Sequence, residues 1–458
     1  MTTAATTTPT FKPFQRQTAS GIPGFENLSD EERFTIDVVA RVLPFRTNNY
    51  VAEELIDWSN VPNDPLFQLT FPQREMLDPR DFDAIANLIR RDAPDDELQA
   101  KVREIQLELN PHPSGQVQLN VPTLEGSAVP GMQHKYDRTV LFFASQGQTC
   151  HAYCTYCFRW PQFMQLDDLK FATREADGLT RYLRAHPEVT DVIFTGGDPL
   201  IMRTNLVRRY VEPLLHPDFE HVTIRIGTKA PAYWPYRFTT DRDADDLLRL
   251  FEEIVGAGRH LALMAHYTHP NEIATDAAVE AARRIRDTGA VIRSQSPVVR
   301  HVNDSGAVWA DMVRRQIKLG IVPYYMFVER DTGAKRYFEL PLEQALEIYN
   351  ECWRDLSGLG RTLRGPVMSA TPGKVMVEDI IEIRGETVFA LRLLQSRNPE
   401  WSNQLFFAKY DPDAAWYDEL RPAFGEENWF FQSELDGFVD DLVSQVSDSS
   451  RLPLVGRS

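Results

Sequence analysis

Cys150-His151-Ala152-Tyr153-Cys154-Thr155-Tyr156-Cys157 places three thiols in eight residues, directly after the apolar run 139–144. That run reads as a buried strand, so the cysteines sit on the loop leaving its C-terminal end. Thiolates are soft ligands for zinc or iron–sulfur clusters, and a tight loop can aim three of them at one centre. A four-iron cluster has four corners, so three cysteines leave one iron open to chelate a substrate or cofactor. Structural zinc takes a fourth ligand, usually from a second Cys or His pair. No such pair follows: His266 and His269 are spaced H-x2-H far along the chain, and Cys352 lies in an amphipathic stretch, 343–356. There a small buried apolar role suffices for it. Three crowded cysteines without a secretory signal argue against a disulfide.

Outward from this loop, short apolar runs alternate with helical stretches. The runs are 138–145, 189–194, 222–227, 260–266, 290–294 and 321–327. Between them, stretches such as 245–255, 275–287 and 308–319 repeat apolar residues at helical spacing, and several close on Gly. Continuous apolar strands alternating with helices mean a parallel sheet covered by helices. Six such units predict an α/β fold, a partial (βα)6 TIM-like barrel over 138–330, with its site at the C-terminal strand ends where the cysteines fall. Upstream, 28–110 reads as a helical N-terminal region that opens with a capping box, Ser29 and Glu32. Residues 1–27 read as a disordered tail, and the proline-bearing 111–137 as a linker. Downstream lie a C-terminal region, 331–432, with a hairpin turn at Arg384-Gly385, and an acidic tail, 433–458, with one more helical spine.

Apolar content of 43% and charged content of 25% are those of a soluble globular chain. A net charge of -17 argues against nonspecific binding to nucleic acid or anionic membrane. No apolar run approaches the ~20 residues of a membrane span. Four cysteines, three of them clustered, fit a reducing cytoplasm.

The second run ends in Gly196-Gly197-Asp198, where paired glycines let backbone approach a ligand beside the cysteine loop. The pattern C-x3-C-x2-C, with an aromatic before the last cysteine, resembles the signature of radical S-adenosylmethionine (SAM) enzymes. Further motifs narrow the resemblance to the lysine 2,3-aminomutase family over about residues 60–395. They include Asn63-Asp64-Pro65, Val129-Pro130-Gly131, His134-Lys135-Tyr136, Arg225-Ile226-Gly227, His269-Pro270-Asn271, Ser294-Gln295-Ser296 and Pro323-Tyr324-Tyr325. The resemblance implies a [4Fe-4S] cluster on Cys150, Cys154 and Cys157, and SAM on its open iron as the source of a 5′-deoxyadenosyl radical. It also implies pyridoxal phosphate (PLP) held covalently by Lys374. Gly196, Gly197, Asp198, His269 and Gln295 match positions near SAM. Lys135, Tyr136 and Arg138 match the phosphate site, and Arg159 matches the arginine that clamps the substrate carboxylate. The family further implies a flavodoxin- or ferredoxin-type electron donor and a homo-oligomer, working on a small amino acid.

Several positions depart from the family pattern. Ala370-Thr371-Pro372-Gly373 replaces the glycine run before the PLP lysine, and Thr139 stands where a phosphate arginine is expected, with Arg138 beside it. Gln146-Gly147-Gln148 lengthens the approach to the cysteines, and no cysteine follows Cys352. Arg330 occupies the place of the aspartate that pairs with the substrate ammonium in lysine-acting members, and a second such aspartate has no counterpart between Gly365 and Lys374. An ammonium facing Arg330 would be repelled, so the expected substrate is not lysine and carries an acidic or neutral acceptor, as glutamate does. A one-residue shift would bring Asp331 inward and restore a cation site. The alternative is a PLP-free radical SAM enzyme on the same scaffold, acting on another small molecule or a protein lysine.

Overall fold

The computed structural model describes residues 9–110, 120–164 and 172–439. Two small antiparallel ribbons come first, β1 (Pro13–Gln15) with β2 (Arg46–Asn48), and β3 (Thr123–Leu124) with β4 (Ser127–Ala128). The main sheet has 11 strands in sequence order. β5 (Met132–Tyr136) is its antiparallel edge against β6 (Thr139–Phe143). Parallel pairing then runs through β7 (Asp191–Thr195), β8 (Thr223–Thr228), β9 (Leu261–His266), β10 (Val291–Val298), β11 (Val322–Val328) and β12 (Arg364–Ser369). Three antiparallel strands close the far edge: β13 (Gly373–Ile383), β14 (Glu386–Ser396) and β15 (Leu405–Lys409).

Helices Asp177–Ala185, Thr204–Val211, Ala244–Gly256, Asp276–Asp287, Gly306–Lys318 and Leu342–Arg354 each return the chain between successive parallel strands. Each buries an apolar stripe; Leu247, Leu250, Phe251 and Ile254 are fully covered on one of them. The architecture is the α/β partial TIM-like barrel that the alternating pattern predicts. It carries one parallel strand more than six, because Leu342–Arg354 acts as a further crossover. Gly365 and Pro366 break the apolar pattern of β12, so its strand character comes from pairing with β11. The sheet curls until its two ends meet: the Lys135 ammonium on β5 donates to the Ala370 carbonyl just after β12. Arg397, just after β14, donates to Asn120 Oδ1 at 2.8 Å.

Local signals behave as their chemistry dictates. Ser29 and Glu32 form the reciprocal capping box, with Ser29 N to Glu32 Oε2 at 2.7 Å. Arg384 and Gly385 turn β13 into β14 with φ of 55° and 82°, the paired positive values of a tight type I′ hairpin. No described helix is long and apolar enough to cross a membrane.

Two expected boundaries differ. The stretch 1–27, expected as a disordered tail, is folded from residue 9 onward; residues 1–8 lie outside the described residues. β1 and the 3-10 turns Arg16–Gly21 and Phe25–Asn27 pack on the core, with Phe14 2% and Ile22 1% exposed. Threonine-rich composition at the start masks these widely spaced anchors. The expected linker 111–137 ends in strand β5, its prolines lying upstream of the paired segment; 111–119 lie outside the described residues. In the expected acidic tail, 432–439 is helical with Leu435 buried, and the remainder, Leu442 and Val446 included, lies outside the described residues.

Because Phe14 is a buried anchor, Phe14→Ala should lower stability by about 3 kcal/mol or more in urea unfolding. An unchanged midpoint would mean that this segment is the unfolded tail its composition suggests.

Candidate active site at the barrel mouth

Backbone hydrogen bonds fix the cysteine loop on both flanks. The N-terminal region accepts from Tyr153 N at Arg46 O (2.8 Å) and from Thr155 N at Leu69 O (3.0 Å), while Asn48 Nδ2 donates to His151 O at 3.2 Å. On the other flank, Asp198 N donates to Thr149 O at 2.8 Å. That approach requires glycine: a Cβ on Gly197 would stand 2.5 Å from Thr149 N, and Gly196 has φ of +135° with Gln148 pressed against it. The Gly-Gly turn therefore seats the cysteine loop as well as facing the cavity.

The C-terminal strand ends enclose a cavity of about 350 Å³. Cys150, Cys154 and Cys157 line one end of it, and Lys374 and Gln395 line the other. Burial raises all three thiol pKa values, Cys157 up to about 12, and the three thiols interact electrostatically. Left alone they stay protonated; an iron centre is what would make them thiolates. Among the described residues no group of His, Cys, Asp or Glu is gathered tightly enough for a single metal ion. A cubane spaces its corner ligands more widely, which suits three cysteines spread along one cavity wall.

At the opposite end, Lys374 opens β13 and points into the cavity. Its Nζ donates to Gln395 Oε1 at 2.6 Å and lies 4.9 Å from the Tyr325 ring centroid and 5.4 Å from that of Tyr136. Burial, with Arg225 nearby, lowers its pKa to about 7. Arg225 is itself held by Asp191, Nε to Oδ1 at 2.7 Å, beneath the lysine. Lys135 is pushed well below its ordinary value by burial and by Arg397, Arg330 and Lys374. The Phe158 ring carries two guanidiniums, Arg159 and Arg330, each 5.0 Å from its centroid. Burial lowers Arg159 to about 10 and lowers Arg330 as well, and Arg330 Nε is buried without a hydrogen-bond partner.

Most residues singled out in the sequence converge here: the cysteines, Gly196, Gly197, Asp198, Gln295, Tyr136, Arg159, Arg330 and Lys374 all line the cavity. Asp198 does so with its carboxylate already occupied, accepting from Leu200 N (2.9 Å), Thr228 Oγ1 (2.8 Å) and Lys229 N (2.8 Å). Burial raises it to about 6.

Three residues fall elsewhere, and Lys135, whose ammonium donates to the Ala370 carbonyl, is not part of the cavity wall either. Arg138, expected at a phosphate, lies at the outer end of β6, where it donates to Glu188 O at 3.1 Å and pairs with Asp137. Being adjacent to Lys135-Tyr136 in sequence does not turn it inward, because the chain reverses there between β5 and β6. His269, expected near SAM, caps the turn Pro270–Ile273 by accepting from Asn271 N at 3.3 Å. Asp331 is half-buried and is not part of the cavity wall; Glu329 and Arg330 are, so no inward shift of Asp331 occurs.

Other residues escaped the sequence reading. Arg397 joins the cationic end from the loop after β14, and Glu329, Lys229 and Tyr233 are brought to the cluster end by the fold. No spacing in the chain signals them.

No family model matches the chain. A relative from Aquifex aeolicus (strain VF5) named for L-lysine 2,3-aminomutase is 30% identical over 414 residues, covering 90% of this chain and 96% of the relative. L-lysine 2,3-aminomutase of Clostridium subterminale is 29% identical over 266 residues, 57% of this chain and 59% of that protein. Among solved structures, a radical SAM methyltransferase from Sphaerobacter thermophilus aligns at a TM-score of 0.35 and 14% identity, over 49% of this chain and 66% of that one. The relationship over nearly the whole of both chains establishes that this protein belongs to the lysine 2,3-aminomutase family.

Proposed function

We propose that this chain is a radical SAM, PLP-dependent 2,3-aminomutase that moves the α-amino group of an amino acid other than lysine, with an acidic glutamate-like side chain, to its β carbon. One observation carries the reading: a single cavity joins Cys150, Cys154 and Cys157 to a buried lysine amine whose pKa is lowered to about 7. The cysteines fit a cluster with one open iron, and Lys374 with the cations around Tyr136 fits PLP. Bound there, SAM and the cluster supply a carbon-centred radical, and PLP supplies a carrier for the migrating amine.

The chain's own groups have definite tasks. Gln395 holds the Lys374 amine at the cavity end, and desolvation keeps much of it unprotonated, hence nucleophilic, near neutral pH. Tyr136 and Ser369 on the cavity wall, with Lys135 and Arg397 beside Tyr136, make a cationic, hydrogen-bonding site suited to a phosphate dianion. Arg397 takes the place at this site that Arg138 leaves. Arg159, braced on the Phe143 and Phe158 rings, offers its fork to the α-carboxylate. Gln295 and the Gly196-Gly197 backbone face the SAM end.

Arg330 sets the side-chain preference. Lys135, Arg159 and Arg330 each have a depressed pKa and repel one another, so each anion entering relieves a cost and a further ammonium adds to it. Glu329, 6% exposed, is pushed well above the ordinary carboxyl range by burial, and Asp331 is the larger counter-charge to Arg330, yet burial still leaves the guanidinium below its ordinary value. Reduction comes from a flavodoxin- or ferredoxin-type donor, and the working form is a cytoplasmic homo-oligomer.

Amine-reactive labelling of the cofactor-free protein across pH should show Lys374 titrating near pH 7, reactive above it and protonated below it. A surface lysine should titrate near 10.4. A midpoint near 10 for Lys374 would contradict its role. Under anaerobic reduction with SAM and PLP, the enzyme should turn over glutamate in preference to lysine. Arg330→Met should lower kcat/KM for glutamate about 10- to 100-fold, the loss of one charged hydrogen bond. Efficient lysine turnover by the unmodified enzyme would overturn the substrate assignment.

A further inference from the structure

Beside the cysteine loop, reaching the cavity wall at Lys229 and His266, lies a polar network to which the proposed reaction gives no task. Tyr233 ends the short helix Ala230–Tyr233 that follows β8, is 1% exposed, and places its hydroxyl 3.2 Å from Cys154 Sγ. Its carbonyl accepts from Asn48 Nδ2 at 3.0 Å, which ties it to the N-terminal region. The Lys229 ammonium lies 4.6 Å from the centroid of the Tyr233 ring. The same ammonium pairs with Glu272 at 2.6 Å, the two side chains being 8% and 0% exposed, and donates to His266 O and Thr268 Oγ1, each at 3.1 Å. Asn303 Nδ2 secures the Thr268 carbonyl at 2.9 Å. A fully buried ion pair is a poor source of stability, because desolvation offsets most of its attraction. Its position against the partner of a cluster ligand points to another use.

We propose that Tyr233 and Lys229 are positioning residues that raise the reduction potential of the cluster, Tyr233 by donating its O–H to the Cys154 sulfur and Lys229 by strengthening and aiming that donor. The inference rests on the cluster reading above. Reduction adds one electron to the cluster and moves no proton, so negative charge on the ligand sulfur grows and its hydrogen bond tightens. The reduced state gains more than the oxidised one, and the potential rises. The cation over the ring draws density from the phenol and makes it a better donor, while fixing the ring plane. Glu272 holds Lys229 in place by the ion pair, and Asn48 holds the backbone, so the hydroxyl has one orientation.

The test is an EPR-monitored redox titration of the full-length, cluster-reconstituted protein, without SAM or substrate, beside an iron count per chain. Tyr233→Phe should keep its iron and shift to lower potential. Its reduced-to-oxidised ratio at a fixed potential should fall about tenfold, which is about 59 mV for a one-electron couple. The double variant Lys229→Met, Glu272→Gln, which leaves no orphan charge, should shift in the same direction by less. An unchanged midpoint in iron-replete Tyr233→Phe overturns the proposal. So does iron loss in which the remaining clusters titrate as in the unmodified protein, since that marks a purely structural role. An unmodified protein that assembles no cluster at all overturns the cluster reading instead, and is told apart by its own iron count.

Discussion

Asp198 N reaches Thr149 O on one flank of the cysteine loop, and Tyr153 N and Thr155 N reach Arg46 O and Leu69 O on the other. Much of the architecture serves these few bonds. The second parallel strand must end in Gly196-Gly197, since any Cβ there would drive the loop away. The N-terminal region must pack against the cysteine loop, since it supplies the other carbonyls. Phe14 and Phe25 anchor that region to the core. Loop, barrel and N-terminal region are thus tied together, and three half-buried thiols line the cavity with raised pKa values, where a metal centre would ionise them.

The opposite end of the cavity is governed by charge. Lys135, Arg159, Arg330 and Lys374 sit half-buried at this end, and desolvation depresses each. Such a cluster of cations is costly when empty of anions and favourable when filled. The Phe143, Phe158, Tyr136 and Tyr325 rings carry part of the cost through their faces. The Arg225–Asp191 pair near Lys374 acts both ways, Arg225 lowering the lysine pKa and Asp191 offsetting part of that, so burial is the main reason that the amine loses its proton easily.

The fold was largely legible because continuous apolar runs such as 139–143 and 261–265 can only be strands covered on both faces. What escaped was set by contacts distant in sequence. β12 reads as a connection because Gly365 and Pro366 break its pattern, yet pairing with β11 defines it. β5 lies in a proline-rich stretch that only the sheet edge orders. At the site, the cysteines, Lys374 and Arg159 were legible because their motifs carry them. Arg138 was misread because sequence adjacency to Lys135 says nothing about which side of the β5–β6 reversal it faces. Likewise, His269 stands next to cavity residues in sequence but serves its own turn. Arg397, Glu329 and Tyr233 carry no local signal, and three-dimensional convergence alone identifies them.

The central claim is that one cavity joins an open iron–sulfur cluster to a lysine that holds PLP. Borohydride reduction of anaerobically purified, PLP-treated protein, followed by peptide mass spectrometry, tests it most directly, with Lys374→Ala as the control. The account predicts a pyridoxyl group on Lys374 and none at that site in the variant. An unmodified Lys374 in folded, cluster-loaded protein would contradict it and assign the cavity to PLP-free radical chemistry.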